Sequence, residues 1–368
     1  MQNFIPLASP DIRDIDIEAV SAVLRTGNLV QGKQVEMLEN NLAKYLGVPH
    51  CVAVTNGTAT LHLTLVALGI GPGDEVIVPA LSYIATANVI ELVGAKPVFV
   101  DISLDTFNIN TSLIEAKISN KTKAVMAVHE FGLAADMQAI KAICDKHKVY
   151  FIEDAACALG AKENQRFTGT LGIAASFSFH PRKAITSGEG GAIITSDAEL
   201  ALRLRALRNH GMDAGNTTKM DFIMAGYNCR MTDFQAALLG SQLNRLDTIL
   251  ERKREIAARY LNEIKNPGLK LPVIPGDKLP SWQTFHVVLQ APLKQAETIA
   301  KLREAGIGTN YGAQCMPEQT YFKQKYGHDS AQEFPNALLA YSQGLAIPLY
   351  EKLNNDQITH IIQTVNSL

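Results

Sequence analysis

Apolar positions in the first fifty residues recur at helical spacing. Ile17, Val20 and Leu24 form one stripe that stops at Gly27, and Val35, Leu38, Leu42 and Tyr45 form another that stops at Gly47. The spacing predicts two amphipathic helices, each closed by a glycine. The pattern then becomes a series of short runs rich in Val, Ile and Phe. These are EVIVPA (75–80), KPVFVDI (96–102), AVMAVHEF (124–131), VYFIEDA (149–155), AASFSF (174–179) and GGAIITSD (190–197). Helical patterns lie between several of them, at 59–69 after Asn56-Gly57 and at 136–147 from Asp136. Strands alternating with helices predict a mainly parallel sheet covered on both faces, with ligands at the carboxyl ends of its strands.

The alternation ends near residue 197. A helix through Leu200, Leu204 and Leu207 leads to a polar loop at 213–221. Thr232 and Gln235 then stand at the spacing of a capping box, and one long helix is expected from there through Leu246 and Ile249. Mixed strands (282–289, 344–348) and helices (293–305, 355–367) follow Pro267. The chain therefore reads as α/β. A large domain (1–245) holds the sheet sandwiched by helices, and a smaller C-terminal α+β domain (246–368) follows it. The length suits two domains rather than one core.

Composition narrows the class. Hydrophobic residues make up 47% and charged residues 19%, as in ordinary globular chains. A net charge of −2 argues against nucleic acid or an anionic membrane as the main partner. No apolar run reaches the roughly 20 residues of a membrane span, and no export signal is visible. Five scattered cysteines without a C-x-x-C fit free thiols in a reducing cytoplasm better than disulfides or zinc.

Four features belong together if a phosphate-bearing aromatic aldehyde is bound. The first is TNGTATLHLTLVAL (55–68), where Gly57 permits a tight turn and Thr58 with the N–H groups of Ala59 and Thr60 opens a helix, a ready anion site. The second is Asp154, ending an apolar strand at the ligand-bearing edge. A carboxylate there needs a cation, a helix N-terminus to cap or an ion-pair partner. The third is Lys183, set between a strand and the glycines 188, 190 and 191. An apolar site would let its amine lose a proton for Schiff-base chemistry, and Ser178 adds a hydroxyl for a phosphate. The fourth is Tyr83 in PALSYIATAN, a ring that could stack on a flat ligand or simply pack.

The order of these features, with VGAKPVFVDI, IEDAACALGA, SFSFHPRKAITSGEGGAIIT, RNHGM and GYNCRMTDFQAAL, resembles the sugar-nucleotide aminotransferases of the DegT/StrS type. These are pyridoxal phosphate (PLP) enzymes of the aspartate aminotransferase superfamily, with the type I fold. The resemblance runs from about residue 5 to the C-terminus and is weakest between 265 and 340. It implies that Lys183 carries PLP, that Asp154 faces the pyridine nitrogen, and that Gly57, Thr58, Ala59 and Ser178 cradle the phosphate. It also implies that Tyr83 covers the ring, and that Asn228 reaches the phosphate of a neighbouring subunit in a homodimer with shared active sites. Cys157 stands where many relatives have Gln, and a thiol is a weak donor to the phenolic oxygen of the cofactor. Relatives that remove a sugar hydroxyl carry His in place of the Schiff-base lysine; this chain keeps Lys183.

By the same resemblance the amino donor is glutamate and the acceptor a 4-keto-6-deoxy nucleotide sugar. A UDP-linked 2-acetamido-4-keto-2,6-dideoxyhexose aminated at C4, as for bacillosamine-type sugars, is favoured over GDP-4-keto-6-deoxymannose. A non-catalytic PLP-binding regulator is the rival from another class. His180, His210, Arg230, Asn310 and Tyr311 are the candidates for substrate contact.

Overall fold

The computed structural model describes residues 4–213, 215 and 219–368; of the polar loop expected at 213–221, residues 214 and 216–218 lie outside that description. Seven strands make the central sheet: β1 (His50–Val54), β2 (Glu75–Pro79), β3 (Lys96–Val100), β4 (Thr122–Val128), β5 (Tyr150–Asp154), β6 (Ala174–Ser178) and β7 (Gly191–Thr195). Their order is β1-β7-β6-β5-β4-β2-β3. β7 runs antiparallel to both its neighbours, and the other pairings are parallel. The expected mainly parallel sheet is present. Sequence reading passed over β1, five residues squeezed between Pro49 and the Thr55-Asn56-Gly57 turn.

Alternate residues of each strand feed different cores, which is why the strands read as continuous apolar runs. In β4, Ala124 and Met126 join one cluster while Val125 and Ala127 join another. In β7, Ala192 and Ile194 pack on one face and Ile193 on the other. The first two predicted helices are α1 (Asp14–Thr26) and α2 (Lys33–Leu46). Gly27 and Gly47 end them in the left-handed conformation, at φ 71° and 70°. α3 (Gly57–Ala67), α4 (Ala85–Leu92), α5 (Met137–His147) and α6 (Ala198–Arg208) flank the sheet.

Two sequence expectations need correction. The long helix after Thr232 is two helices, α7 (Asp233–Leu243) and α8 (Leu246–Glu263), interrupted at Asn244–Arg245. The capping box of Thr232 and Gln235 does start α7. The run AVMAVHEF does not stay extended to its end. β4 stops at Val128, and residues 130–132 turn sharply, with Phe131 at φ 54°.

The C-terminal part has its own three-stranded sheet, β8 (Leu269–Lys270), β9 (Phe285–Leu289) and β10 (Gly344–Ile347), in that order. α8 spans two cores. Leu246, Ile249 and Leu250 pack with the central sheet, while Ile256, Ala257 and Tyr260 pack with the C-terminal sheet. Ile5 joins that second core too, so the start of the chain folds back onto its end. No helix among the described residues is long and apolar enough to cross a membrane.

Candidate active site

A cavity of about 610 Å³ opens at the carboxyl ends of β4, β5 and β6. Thr58, Tyr83, Asp154, Cys157, Ser178 and Lys183 all line it, so residues spread over 125 positions of the chain converge there.

The end of the cavity at the start of α3 is built by close packing. Gly57 opens α3, and a Cβ on it would meet Ser178 Cβ at 2.8 Å. Only glycine lets the helix start against the end of β6. Gly191 is needed in the same way, since its Cβ would meet Asn56 O at 2.6 Å. The glycines after Lys183 thus serve helix-to-sheet packing as well as loop shape. Asn56 caps α3 by accepting from the Ala59 amide at 2.8 Å, and its carbonyl accepts from Thr60. The Ala59 and Thr60 amides expected to face an anion are therefore both engaged by Asn56. The amides of Gly57 and Thr58, in the first turn of α3, have no carbonyl partner within the helix, and Gly57, Thr58 and Ser178 line the cavity.

Asp154 ends β5 and is 4% exposed. Its Oδ2 accepts from Thr86 Oγ1 at 2.9 Å and its Oδ1 from the Ala156 amide at 3.2 Å. Burial pushes its carboxyl above the usual range, against the pull of these donors and of Lys183. A cation placed against it would restore the ionised form. Behind it, His129 Nδ1 accepts from the Ala135 amide and its other ring nitrogen contacts Glu153 at 2.9 Å. With Nδ1 accepting, the His129 ring holds Glu153 through Nε2–H, and both side chains are fully buried.

Lys183 differs from its expectation. It is half-buried, and its amine meets polar groups rather than an apolar wall: Nζ donates to Cys157 Sγ at 3.0 Å. The carboxyls of Asp154 and Glu130 act on the same space. Burial pushes the Cys157 thiol up, so it stays protonated. Tyr83 is 67% exposed at the mouth.

The substrate candidates divide. His180 lies on the cavity rim. His210 and Asn228 are exposed outside the single-chain cavity, and Arg230 donates to Asn209 Oδ1 at 2.6 Å rather than into the site. Asn310 is tied to its own loop through the Gly312 amide, and Tyr311 rests edge-on against Tyr341. Their neighbours Gly312 and Ala313 reach the cavity instead. Sequence reading missed Glu130, Ser82, Thr86 and Gln283. Glu130 was hidden inside AVMAVHEF, a run read as strand.

The residues present fit PLP. An amine, a buried carboxyl without a cation, and a glycine-built helix start share one cavity of suitable size. A profile of the DegT/DnrJ/EryC1/StrS aminotransferase family matches residues 10–366. The spore coat polysaccharide biosynthesis protein SpsC of Bacillus subtilis (strain 168) is 38% identical over 381 aligned positions, covering 100% of this chain and 97% of that one. Among solved structures, Spr1654 of Streptococcus pneumoniae, assigned as a sugar aminotransferase, superposes in its PLP form with a TM-score of 0.93. It is 30% identical, with 99% and 98% of the two chains covered. PseC of Helicobacter pylori, an aminotransferase involved in the biosynthesis of pseudoaminic acid, also gives 0.93, at 27% identity and 99% of each chain.

Proposed function

The chain belongs to the DegT/DnrJ/EryC1/StrS aminotransferase family, and from that premise we propose that it moves an amino group from glutamate to a 4-keto-6-deoxy nucleotide sugar. The favoured acceptor is a UDP-linked 2-acetamido-4-keto-2,6-dideoxyhexose, aminated at C4. The observation that carries the reading is the convergence of Lys183, Asp154 and the Gly57–Thr58 helix start in one cavity. The similarity to SpsC and PseC, a polysaccharide protein and an acidic-sugar protein by their names, supports a surface-glycan role.

PLP is the cofactor, and when bound it supplies an electron sink and carries the amino group between donor and acceptor. Each protein group then has a defined task. The Gly57 and Thr58 amides, with the hydroxyls of Thr58 and Ser178, bind the phosphate dianion at the positive end of α3. Asp154 holds the ring nitrogen protonated, since the pair satisfies a carboxyl that burial otherwise drives neutral. The Lys183 amine takes the Cα proton of the donor and returns one to the acceptor carbon. Tyr83 shields one face at the cavity mouth. Asn228, exposed and away from its own cavity, serves the site of a second subunit.

The test is direct. Purified enzyme with glutamate is offered a panel of UDP-, GDP- and dTDP-linked 4-keto-6-deoxy sugars, and the aminated product is read by mass spectrometry. Amination of the UDP-linked 2-acetamido sugar is expected; no product from any of them would sink the proposal.

A further inference from the structure

Glu130 brings into the active-site cavity a carboxyl group that the reaction above does not use. The residue is 4% exposed, and its Oε2 is fully buried without a hydrogen-bond partner among the described residues. An unpartnered carboxyl oxygen in a dry site is costly, so something must hold it there.

The backbone does. The Glu130 amide donates to Asn108 Oδ1 at 2.8 Å. The next residue, Phe131, sits at φ 54°, a conformation that bulky residues rarely adopt. Its carbonyl accepts from the amides of Gln283 at 3.0 Å and Thr284 at 3.4 Å. Gly132 lies so close to this segment that a Cβ would meet Ser281 Oγ at 2.5 Å. The turn is clamped on both sides, with the carboxyl directed at the cavity.

Three titratable groups face it: Asp154 from β5, Cys157 from the following turn, and Lys183 from the loop after β6. Ser82 lines the same cavity, and its hydroxyl lies 3.0 Å from that of Thr86, which donates to Asp154. Two carboxyls thus share one cavity. Both cannot ionise there at low cost, and Asp154 is the one that a pyridinium would pair with. Glu130 is left with the proton; burial and Asp154 push its carboxyl up to about 8.

We infer that Glu130 is a cofactor-contacting residue, a carboxylic acid kept neutral beside Asp154, whose Oε2 edge gives the ring oxygen of bound PLP the hydrogen bond that Cys157 is too weak to give. That oxygen sits on the ring carbon next to the one bearing the aldehyde that Lys183 engages, and Glu130 and Cys157 both act on the space around Lys183. The inference rests on the PLP reading of the site.

Apoproteins of the wild type, Glu130→Gln and Glu130→Leu are titrated with PLP, and the bound cofactor's absorbance is followed against pH. Gln keeps a donor of the same size, so its Kd should stay within about threefold of wild type. Leu removes the donor; Kd should weaken about tenfold, and the absorbance midpoint should move to higher pH, because the donor favours the deprotonated oxygen. Wild-type behaviour of Glu130→Leu, or a Glu130→Gln protein as impaired as Glu130→Leu, would overturn the inference. An infrared difference spectrum on PLP binding decides it even if the Leu variant does not fold. A protonated-carboxyl band should shift in wild type and be missing in Glu130→Gln, and its absence from wild type at neutral pH overturns the inference. Failure of wild type itself to bind PLP would instead remove the cofactor reading.

Discussion

Lys183 Nζ rests on Cys157 Sγ, donating to it at 3.0 Å, so the amine at the centre of the site is held by the softest acceptor around it. A protonated thiol makes a weak hydrogen bond. The contact positions the amine without tying it down, which suits a group that must swing toward a cofactor and back. Cys157→Ala should therefore change the PLP dissociation constant by less than about fivefold, the worth of one weak bond. Spectrophotometric titration of the apoprotein reads this. A loss beyond about a hundredfold would make the thiol a principal cofactor ligand instead.

Asp154→Asn keeps the size of the side chain and can still accept from Thr86, but it cannot balance a cation. Removing that charge from a dry site should lower the rate on the order of 10²-fold or more while leaving the melting temperature unchanged or higher. Near-normal turnover would mean that Asp154 is structural.

Lys183, Asp154, Ser178 and the Gly57 turn were legible because each ends or begins an element with a strong sequence signature. An apolar strand, a helix cap and a glycine run place their neighbours at a sheet edge without any tertiary knowledge. Glu130 and Asn108 were not, since what makes Glu130 matter is a left-handed Phe131 and a clamp from residues 281–284, all set by tertiary contacts. The strand pattern of AVMAVHEF gives no hint that the chain turns at its last three residues. The break between α7 and α8 was hidden likewise, because Asn244 and Arg245 are tolerated inside helices; Arg245 is instead drawn to Asp16 at 2.7 Å, pinning α1 to the break.

The Glu130 carboxyl also makes a pH prediction for the apoprotein. Its folded value, about 8, lies above the ordinary 4.5, so the folded state holds the proton more tightly than the unfolded chain. Stability contributed this way is fully present below about 4.5 and is lost as pH rises to about 8. Glu130→Gln has no such loss. Its stability advantage over wild type should be small near pH 4.5 and grow through neutrality to on the order of 5 kcal/mol above pH 8. Denaturant melts at a series of pH values measure the difference, and a gap that does not widen with pH would show that Glu130 is ionised when folded.

Asn228 is exposed and outside its own cavity, whereas Lys183 is inside it. Large apolar side chains shortly before Asn228 in the chain are uncovered: Phe222 and Ile223 are 56% and 55% exposed, and Tyr227 is 39% exposed. A solvated loop rarely keeps so much apolar surface uncovered, and a second subunit would cover it. If that subunit also takes Asn228 as a phosphate ligand, lesions at Asn228 and Lys183 belong to different sites of one dimer. Mixing Asn228→Ala with Lys183→Ala then makes heterodimers in which one site carries both lesions and the other neither. Random exchange yields half heterodimers, each with one intact site, so two impaired parents should recover up to roughly a quarter of wild-type activity. The Lys183→Ala parent has no residual activity to confuse the reading, and the Asn228→Ala parent sets the baseline above which recovery is counted. Exchange is followed separately with two affinity tags. Demonstrated heterodimers without recovered activity would mean that each subunit completes its site alone.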